Sequence, residues 1–269
     1  MAADGNGFAP EMTTSSRLLS PRAVDALLTI GTLAGLLVLW YWANASRAVS
    51  SLLLPAPLAV AEGFITLVTS SFFYGHLFAT AFETIVGFAL AAVAGILLAV
   101  ALSQSRFVER IAQPYIVVFQ VLPKVALAPV LVIWLGFGFE SKIALSAAIA
   151  FFPVLVNTMK GIEGVPANAV RLMRSLAASR RQVFTMLTVP VALPYIFAGL
   201  RSAATLALIG AVVGEYVTAR EGLGKLLVTF SANAQQPLVW ATTAVIGALG
   251  LLLYGIMILI SRRVVWWRA

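Results

Sequence analysis

The chain has 269 residues, of which 61% are hydrophobic and only 10% are charged, and its mean hydropathy is +0.98. A soluble domain carries roughly 25% charged residues, so the composition excludes an ordinary water-soluble enzyme. The absence of cysteine and the single histidine, His76, exclude disulfides, thiol catalysis and iron–sulfur clusters, and leave little for a metal site. Uncharged stretches at 26–46 and 84–105 exceed the roughly 20 residues with which a helix crosses a bilayer. We therefore predict an all-α polytopic membrane protein.

Residues 1–20 are polar and lack the basic start and small-residue cleavage site of a signal peptide. We interpret them as a disordered cytoplasmic tail ahead of one transmembrane domain over 21–269. Within that domain the apolar segments predict six spans, near residues 24–43, 79–102, 111–135, 142–159, 190–214 and 239–260.

Six spans place both termini on one side of the membrane, and the basic residues indicate which side. With the termini inside, twelve basic residues lie in inner segments and four in outer ones, which predicts an N-in, C-in orientation. The formal charge of +8 therefore mostly reflects the basic residues that orient the protein in the membrane, and it does not indicate nucleic-acid binding. The four outer residues are Arg47, Lys142, Arg220 and Lys225.

Two connections are longer than joining spans requires. In 44–78, Pro55 and Pro57 predict the entry into a short amphipathic helix on the outer surface. The inner connection, 160–189, carries basic and apolar residues at helical spacing. It fits a helix lying on the anionic inner leaflet, or a helix that docks into a groove of a soluble partner. One helical face is predicted to carry Arg171, Arg174, Ala178 and Arg181, and the apolar contacts come from Leu172, Met173, Leu176 and Val183.

The inner connection and the span after it resemble a known family. The run MRSLAASRRQVFTMLTVPVALPYIFAGLRSA, followed by LIGAVVGEYV, is similar to the cytoplasmic EAA loop and fifth span of ABC importer permeases. LPAPLAV, QVLPKVALAPVLVIWLGFGFESKI, FFPVLVNTMKGI and EGLGKLL resemble, in the same order, the nitrate/sulfonate/taurine branch, which includes permeases for thiamine-precursor pyrimidines and riboflavin. About 220 residues, from Leu18 onward, share this resemblance.

The resemblance implies a type I ABC importer permease fold in the inner (plasma) membrane, with 160–189 as the coupling loop. It also implies two ATPase subunits as partners and a periplasmic or lipid-anchored substrate-binding protein. One docking loop and six spans per chain favour a homodimer with the pathway on its twofold axis. The residues implied to couple the chain to the ATPase are Arg171, Leu172, Met173, Arg174, Ala177, Ala178, Ser179 and Arg181.

The coupling loop departs from the family pattern at its two best-known places. Arg171, Leu172 and Met173 stand where the family typically has Glu-Ala-Ala, so a cation replaces the usual carboxylate. Ala177 replaces the glycine that follows. If that position is helical, alanine should be tolerated, because it is the better helix former by about 1 kcal/mol.

The chain offers no energy source of its own. A Walker A loop in TAREGLGKLL would need glycine at 219 and serine or threonine at 226, where the sequence has Ala219 and Leu226. We therefore expect this chain to bind no cofactor, with ATP and Mg held by a separate ATPase subunit.

Lys124 and Arg201 lie inside predicted spans at similar depth, where a cation facing lipid costs several kcal/mol. Each is expected to face the bundle interior or a wet cavity, either attracting an anionic or electron-rich substrate or pairing with Glu83, Glu215 or backbone carbonyls. We group these four residues as candidate pathway residues.

Other functions fit less well. A stand-alone channel or ion-coupled carrier would need carboxylates deep in the membrane, whereas Glu83 and Glu215 lie near the outer ends of their spans. An intramembrane enzyme would need a Ser/His, paired-Asp or HExxH arrangement, which the sequence lacks. The sequences PKVALAP and AFFPVLVNT favour a pyrimidine or riboflavin-like nutrient as the transported substrate over a sulfonate or nitrate.

Overall fold

The computed structural model describes residues 21–46, 48–218 and 220–268, so the tail predicted over 1–20 lies outside the described residues. All the regular structure in the described ranges is helical. The α-helices are α1 (Pro21–Ala45), α2 (Pro57–Thr69), α3 (Ser71–Leu102), α4 (Arg106–Val121), α5 (Ala128–Leu135), α6 (Phe139–Glu163), α7 (Ala167–Ser175), α8 (Arg180–Val183), α9 (Val189–Thr218), α10 (Leu223–Ala232) and α11 (Gln236–Val264). Short 3₁₀ turns occupy Lys124–Leu127 and Trp266–Arg268, and a π-helical turn spans Phe184–Thr188.

The chain divides into two compact units, one up to Pro57 and one from Leu58. In the first unit, α1 contains the predicted span 24–43, and two side chains near its end hold the segment that follows. Trp40 Nε1 donates to the Pro55 carbonyl at 2.9 Å, and Asn44 Nδ2 donates to the Leu54 carbonyl at 3.0 Å.

The second unit is built around α3, α6 and α9, whose facing residues are small. Ala91, Ala150, Ala203 and Ala207 are buried together with Val154 between the three helices. Ser146 Oγ donates to the Ala207 carbonyl at 2.9 Å. A Cβ on Gly210 would lie 2.7 Å from the Ser146 Cα, so α6 and α9 are in backbone contact there. Small residues permit such close approach of membrane helices, and the GxxxG pair Gly210/Gly214 serves packing within the chain.

The third predicted span, 111–135, is not straight. α4 and the segment Lys124–Leu135 meet at an angle of 80°. Pro123 has no N–H to continue the α4 hydrogen bonding, and its ring disfavours a helical residue before it, so the helix ends at Val121. Over the described residues, five helices are long and apolar enough to cross a membrane, or six when this bent pair is one span.

Two short helices, α2 and α10, lie at one end of the second unit. α2 and α10 pack with α3 and α11 around an apolar cluster of Leu67, Phe73, Leu223, Leu226, Phe230, Ala241 and Val245. The connection 44–78 therefore contains the predicted short helix, and also the first two turns of α3, which begins at Ser71 rather than near residue 79.

Candidate functional site

The connection between α6 and α9 presents an exposed basic and apolar surface. We call residues 167–183 the coupling segment. Leu172 and Leu176 are 62% and 70% exposed, one turn apart at i and i+4, and Arg171 and Arg174 are exposed beside them. Met173 and Ala178 are half-buried. A short helix that leaves large apolar side chains uncovered next to cations has the composition of a docking surface.

The coupling segment is not one helix, which corrects the expectation that 171–181 share a single helical face. α7 ends at Ser175, and Ala177 then adopts φ of +56°, in the left-handed region. The Ala178 N–H donates to the Met173 carbonyl and the Ala177 N–H to the Arg174 carbonyl, both at 3.0 Å, as in a Schellman turn. Ala177 therefore occupies a position that favours glycine, and the helical geometry on which tolerance of alanine was conditional is not present there.

A capping box restarts the helix after this turn. The Gln182 N–H donates to Ser179 Oγ at 3.3 Å, and the Ser179 N–H donates to Gln182 Oε1 at 2.8 Å. From Arg180 the chain runs through α8 and the π-helical turn into α9, a helical stretch of 38 residues to Val217. The helix that contains the predicted span 190–214 therefore begins well before Pro190. Because it begins at Arg180, α9 joins the coupling segment without a loop.

The opposite ends of α3, α6 and α9 enclose a buried polar cluster, which we define as Thr80, Glu83, Lys142 and Glu215. The Lys142 ammonium group forms an ion pair with Glu83, and it lies 4.8 Å from the centroid of the Phe139 ring. Glu83 and Glu215 are 0% and 1% exposed and Lys142 is 4% exposed, so their charges interact without solvent screening.

The same cluster binds the start of α10. Glu215 accepts a hydrogen bond from the Gly224 N–H and another from the Thr80 hydroxyl, both at 2.6 Å. Thr80 Oγ1 accepts from the Leu223 N–H at 2.8 Å, and His76 Nδ1 accepts from the Gly222 N–H at 2.9 Å. Three consecutive N–H groups at a helix N-terminus are thus held by side chains of α3 and α9. These contacts give a structural role to the EGLGKLL sequence. Its backbone N–H groups, which resemble those of a phosphate-binding loop, bind side chains of the same chain, including the Glu215 carboxylate.

The sequence analysis did not predict that Lys142 belongs to a buried site, because it placed Lys142 among the basic residues of the outer segments. α6 begins at Phe139, so Lys142 lies one turn inside the helix and faces α3. The position of Lys142 in the sequence could have predicted this pairing. Glu83, Lys142 and Glu215 lie near the outer ends of three different predicted spans, so they are expected at the same membrane depth. Glu83 pairs with Lys142 and not with Lys124.

Lys124 lies at the break between α4 and α5. Its ammonium group donates to the Gln120 carbonyl at 2.9 Å and lies 4.8 Å from the centroid of the Phe152 ring. Since the last carbonyls of a helix lack intrahelical partners, Lys124 satisfies one of them with a cation at the negative end of α4. Arg201, half-buried on α9, donates from Nε to the Phe197 carbonyl at 3.3 Å. Each cation has its own backbone partner, and no hydrogen bond or ion pair among the described residues joins Lys124 to Arg201.

The sequence matches a family model and curated relatives. Residues 91–266 match the family described as the binding-protein-dependent transport system inner membrane component. The formylaminopyrimidine transport permease protein ThiX of Halalkalibacterium halodurans is 37% identical, over 82% of this chain and 88% of the relative. The riboflavin transport system permease protein RibX of Chloroflexus aurantiacus is 34% identical over 88% and 89%. The taurine transport system permease protein TauC of Escherichia coli is 32% identical over 92% of each chain.

A solved structure shares the fold. A crystal structure of an amino acid ABC transporter with histidines superposes with a TM-score of 0.61 at 16% identity, covering 74% of this chain and 98% of the other. At that identity the likeness shows the fold alone. The family match and the relatives show more: the chain belongs to the binding-protein-dependent transport system inner membrane components, as an inner-membrane permease subunit of an ABC importer in the sulfonate/taurine branch, working with a separate ATPase and a substrate-binding protein.

Proposed function

We propose that the coupling segment docks onto the ATPase subunit and passes its motion into α9. The observation that carries this proposal is the combination of exposed leucines and arginines at residues 171–176 with an unbroken helical path from Arg180 to Val217. A displacement of the segment would move α9 as a rigid rod, because no flexible loop separates them. α9 packs most extensively against α6 and also contacts α3, so its movement would reach the centre of the unit.

The residues proposed to contact the ATPase are Arg171, Leu172, Met173, Arg174, Ala177, Ala178, Ser179 and Arg181. Ser179 holds the capping box, so its part in this surface is to fix the start of α8. ATP and Mg belong to the ATPase subunit in this proposal.

We further propose that two copies of this chain form a homodimer on two ATPase subunits, with N and C termini inside. The pathway then lies near the symmetry axis, and Lys124 and Arg201 line it. Glu83 and Glu215 contribute at the outer end by fixing α10, to which Glu215 is hydrogen-bonded, rather than by touching cargo. The relatives are named for a formylaminopyrimidine, riboflavin and taurine, which supports a small organic nutrient as cargo here.

Co-purification from the native membrane tests the docking proposal. Wild-type permease is compared with the variant Arg174→Glu/Arg181→Glu, in which two exposed cations of the segment are reversed. We expect an ATPase to co-purify with the wild type and to be lost from the variant. A matched control, Arg262→Glu/Arg263→Glu at the exposed end of α11, should keep the ATPase. Equal recovery with the segment variant would contradict docking through this surface.

A further inference from the structure

The single histidine of the chain holds the start of α10. His76 lies on α3, ahead of the predicted span that begins at residue 79. Its Nδ1 accepts a hydrogen bond from the Gly222 N–H at 2.9 Å, although the two residues are 146 positions apart in the sequence. The ring is half-buried and meets the Phe72 ring edge-on, with 6.2 Å between the centroids. A side chain that ordinarily titrates at a pH of about 6.5 therefore binds the residue that precedes a helix.

The hydrogen bond to Gly222 defines the protonation state of His76. A ring nitrogen that accepts a hydrogen bond carries no proton, so the ring is neutral and has its proton on Nε2. In the imidazolium form both ring nitrogens are donors, and the Nδ1–H would then point at the Gly222 N–H. Protonation of His76 and this hydrogen bond to Gly222 therefore exclude each other.

The backbone at Gly222 leaves its N–H little freedom to find another partner. Gly222 is buried, and its φ of +120° and ψ of 161° lie in a region that is essentially restricted to glycine. A Cβ at this position would overlap the Glu215 carboxylate. The Leu226 N–H donates to the Gly222 carbonyl at 3.2 Å, so the hydrogen bonding of α10 begins at this residue. Loss of the His76 acceptor would leave a buried N–H without a partner beside the first turn of α10, which is unfavourable.

Charges of both signs lie on the elements around the His76 ring. Glu221, in the turn before α10, and Lys225, on α10, are the charged side chains that act on the ring most directly. Glu221 favours the protonated ring and Lys225 disfavours it, so neither sign of charge fixes His76 in one protonation state. The charged groups deeper along α3, α6 and α9 belong to the polar cluster: Glu83, Lys142 and Glu215.

We propose that His76 is an acid-sensitive latch, which releases the start of α10 from α3 when its Nδ1 takes up a proton from the outer side. The contact is complete above the ordinary histidine pH of about 6.5 and is lost as the pH falls below that value, because only the neutral ring accepts the bond. Thr80 and Glu215 still bind the next two N–H groups, so acid loosens the start of α10 without detaching it. α10 packs with α2, α3 and α11, so this end of the second unit becomes more mobile in acid.

Hydrogen exchange of the full-length permease in nanodiscs tests the latch. The reporter is the peptide that contains the amides of Gly222 and Leu226, measured at about pH 5 and about pH 8, on either side of the histidine range. His76→Asn is the matched variant, because the asparagine Oδ1 can accept the same hydrogen bond and does not titrate. Comparing the two proteins at one pH cancels the intrinsic pH dependence of exchange and the titration of the carboxyl groups. We expect equal exchange at about pH 8, and about tenfold faster exchange in the wild type at about pH 5, where the bond is lost and two donors face each other.

Two further measurements link the exchange to the ring. His76→Phe keeps a ring beside Phe72 but has no acceptor, so this peptide should exchange fast at both pH values. Nitrogen NMR of permease labelled only in histidine, with a tag that contains none, reports His76 alone. Exchange in the wild type should accelerate at the pH at which the ring signals change to those of imidazolium. Equal exchange of the wild type and His76→Asn at about pH 5, or an acceleration that does not follow the ring signals, would overturn the inference. Neither result bears on docking through the coupling segment.

Discussion

Lys142 supplies the positive charge in a part of the protein that buries two carboxyl groups, those of Glu83 and Glu215. Glu83 takes its ion pair from Lys142, and Glu215 takes hydrogen bonds from Thr80 and Gly224. Replacing a buried ion pair by apolar residues is often neutral, but removing one partner leaves an uncompensated charge. The consequence of losing Lys142 therefore depends on what remains at Glu83.

Lys142→Met should destabilise the protein by about 3–5 kcal/mol, because the buried Glu83 carboxyl group loses its cation and must either stay charged or take up a proton. The measurement is the temperature at which the detergent-solubilised protein loses its monodisperse size-exclusion peak. Adding Glu83→Gln to Lys142→Met removes that uncompensated charge, so the double variant should recover much of the lost thermal stability. A double variant that melts below Lys142→Met would show that the ion pair does not carry this stability.

The backbone conformation of Ala177 determines how a glycine substitution at that position affects stability. An L-residue in the left-handed region costs roughly 1–2 kcal/mol, and glycine avoids that cost. Ala177→Gly should therefore stabilise the turn by about 1 kcal/mol and slow hydrogen exchange at the amides of residues 177 and 178, which close the turn. Ala169→Gly, inside α7, is the matched control and should speed exchange in that helix, since glycine costs about 1 kcal/mol there. Faster exchange in both variants would contradict the assigned backbone conformation.

At the scale of elements, hydrophobic pattern located the spans better than it located their ends. The predicted spans 142–159, 190–214 and 239–260 each lie inside a longer helix, α6, α9 and α11. Apolar composition reports which residues meet hydrocarbon, whereas the helices continue into polar surroundings where their ends are packed. This is why α6 begins early enough to bury Lys142, and α9 is reached from Arg180.

Breaks and turns inside elements were harder to predict, since single residues decide them. Pro123 and Pro129 stand on either side of Lys124 in the sequence, but proline positions alone do not predict an angle of 80°. The alanine at 177 gave no local signal for a turn, because alanine favours helix and the turn is set by the hydrogen bonds around it. The side-chain contacts to residues 222–224 join α3 to a turn about 140 residues away, a distance that pattern reading does not cover.

At the scale of the molecule, the N-in, C-in orientation is open to a direct test because the chain contains no cysteine. Single cysteines at Ser175, in the coupling segment, and at Ser231, at the end of α10, are both on exposed positions. We expect a membrane-impermeant maleimide to label Ser231→Cys in intact cells, and Ser175→Cys only in inverted vesicles. The reverse labelling pattern would contradict the orientation derived from the basic residues.

As a permease subunit, this chain is proposed to join an ATPase through its coupling segment. The most direct measurement is native mass spectrometry of the affinity-tagged permease extracted from its own membrane under mild conditions. We expect an assembly of two 28.5 kDa permease copies with two copies of an ATPase, and we expect the Arg174→Glu/Arg181→Glu variant to lose the ATPase. A permease that is extracted without an ATPase under every mild condition would contradict docking through the coupling segment.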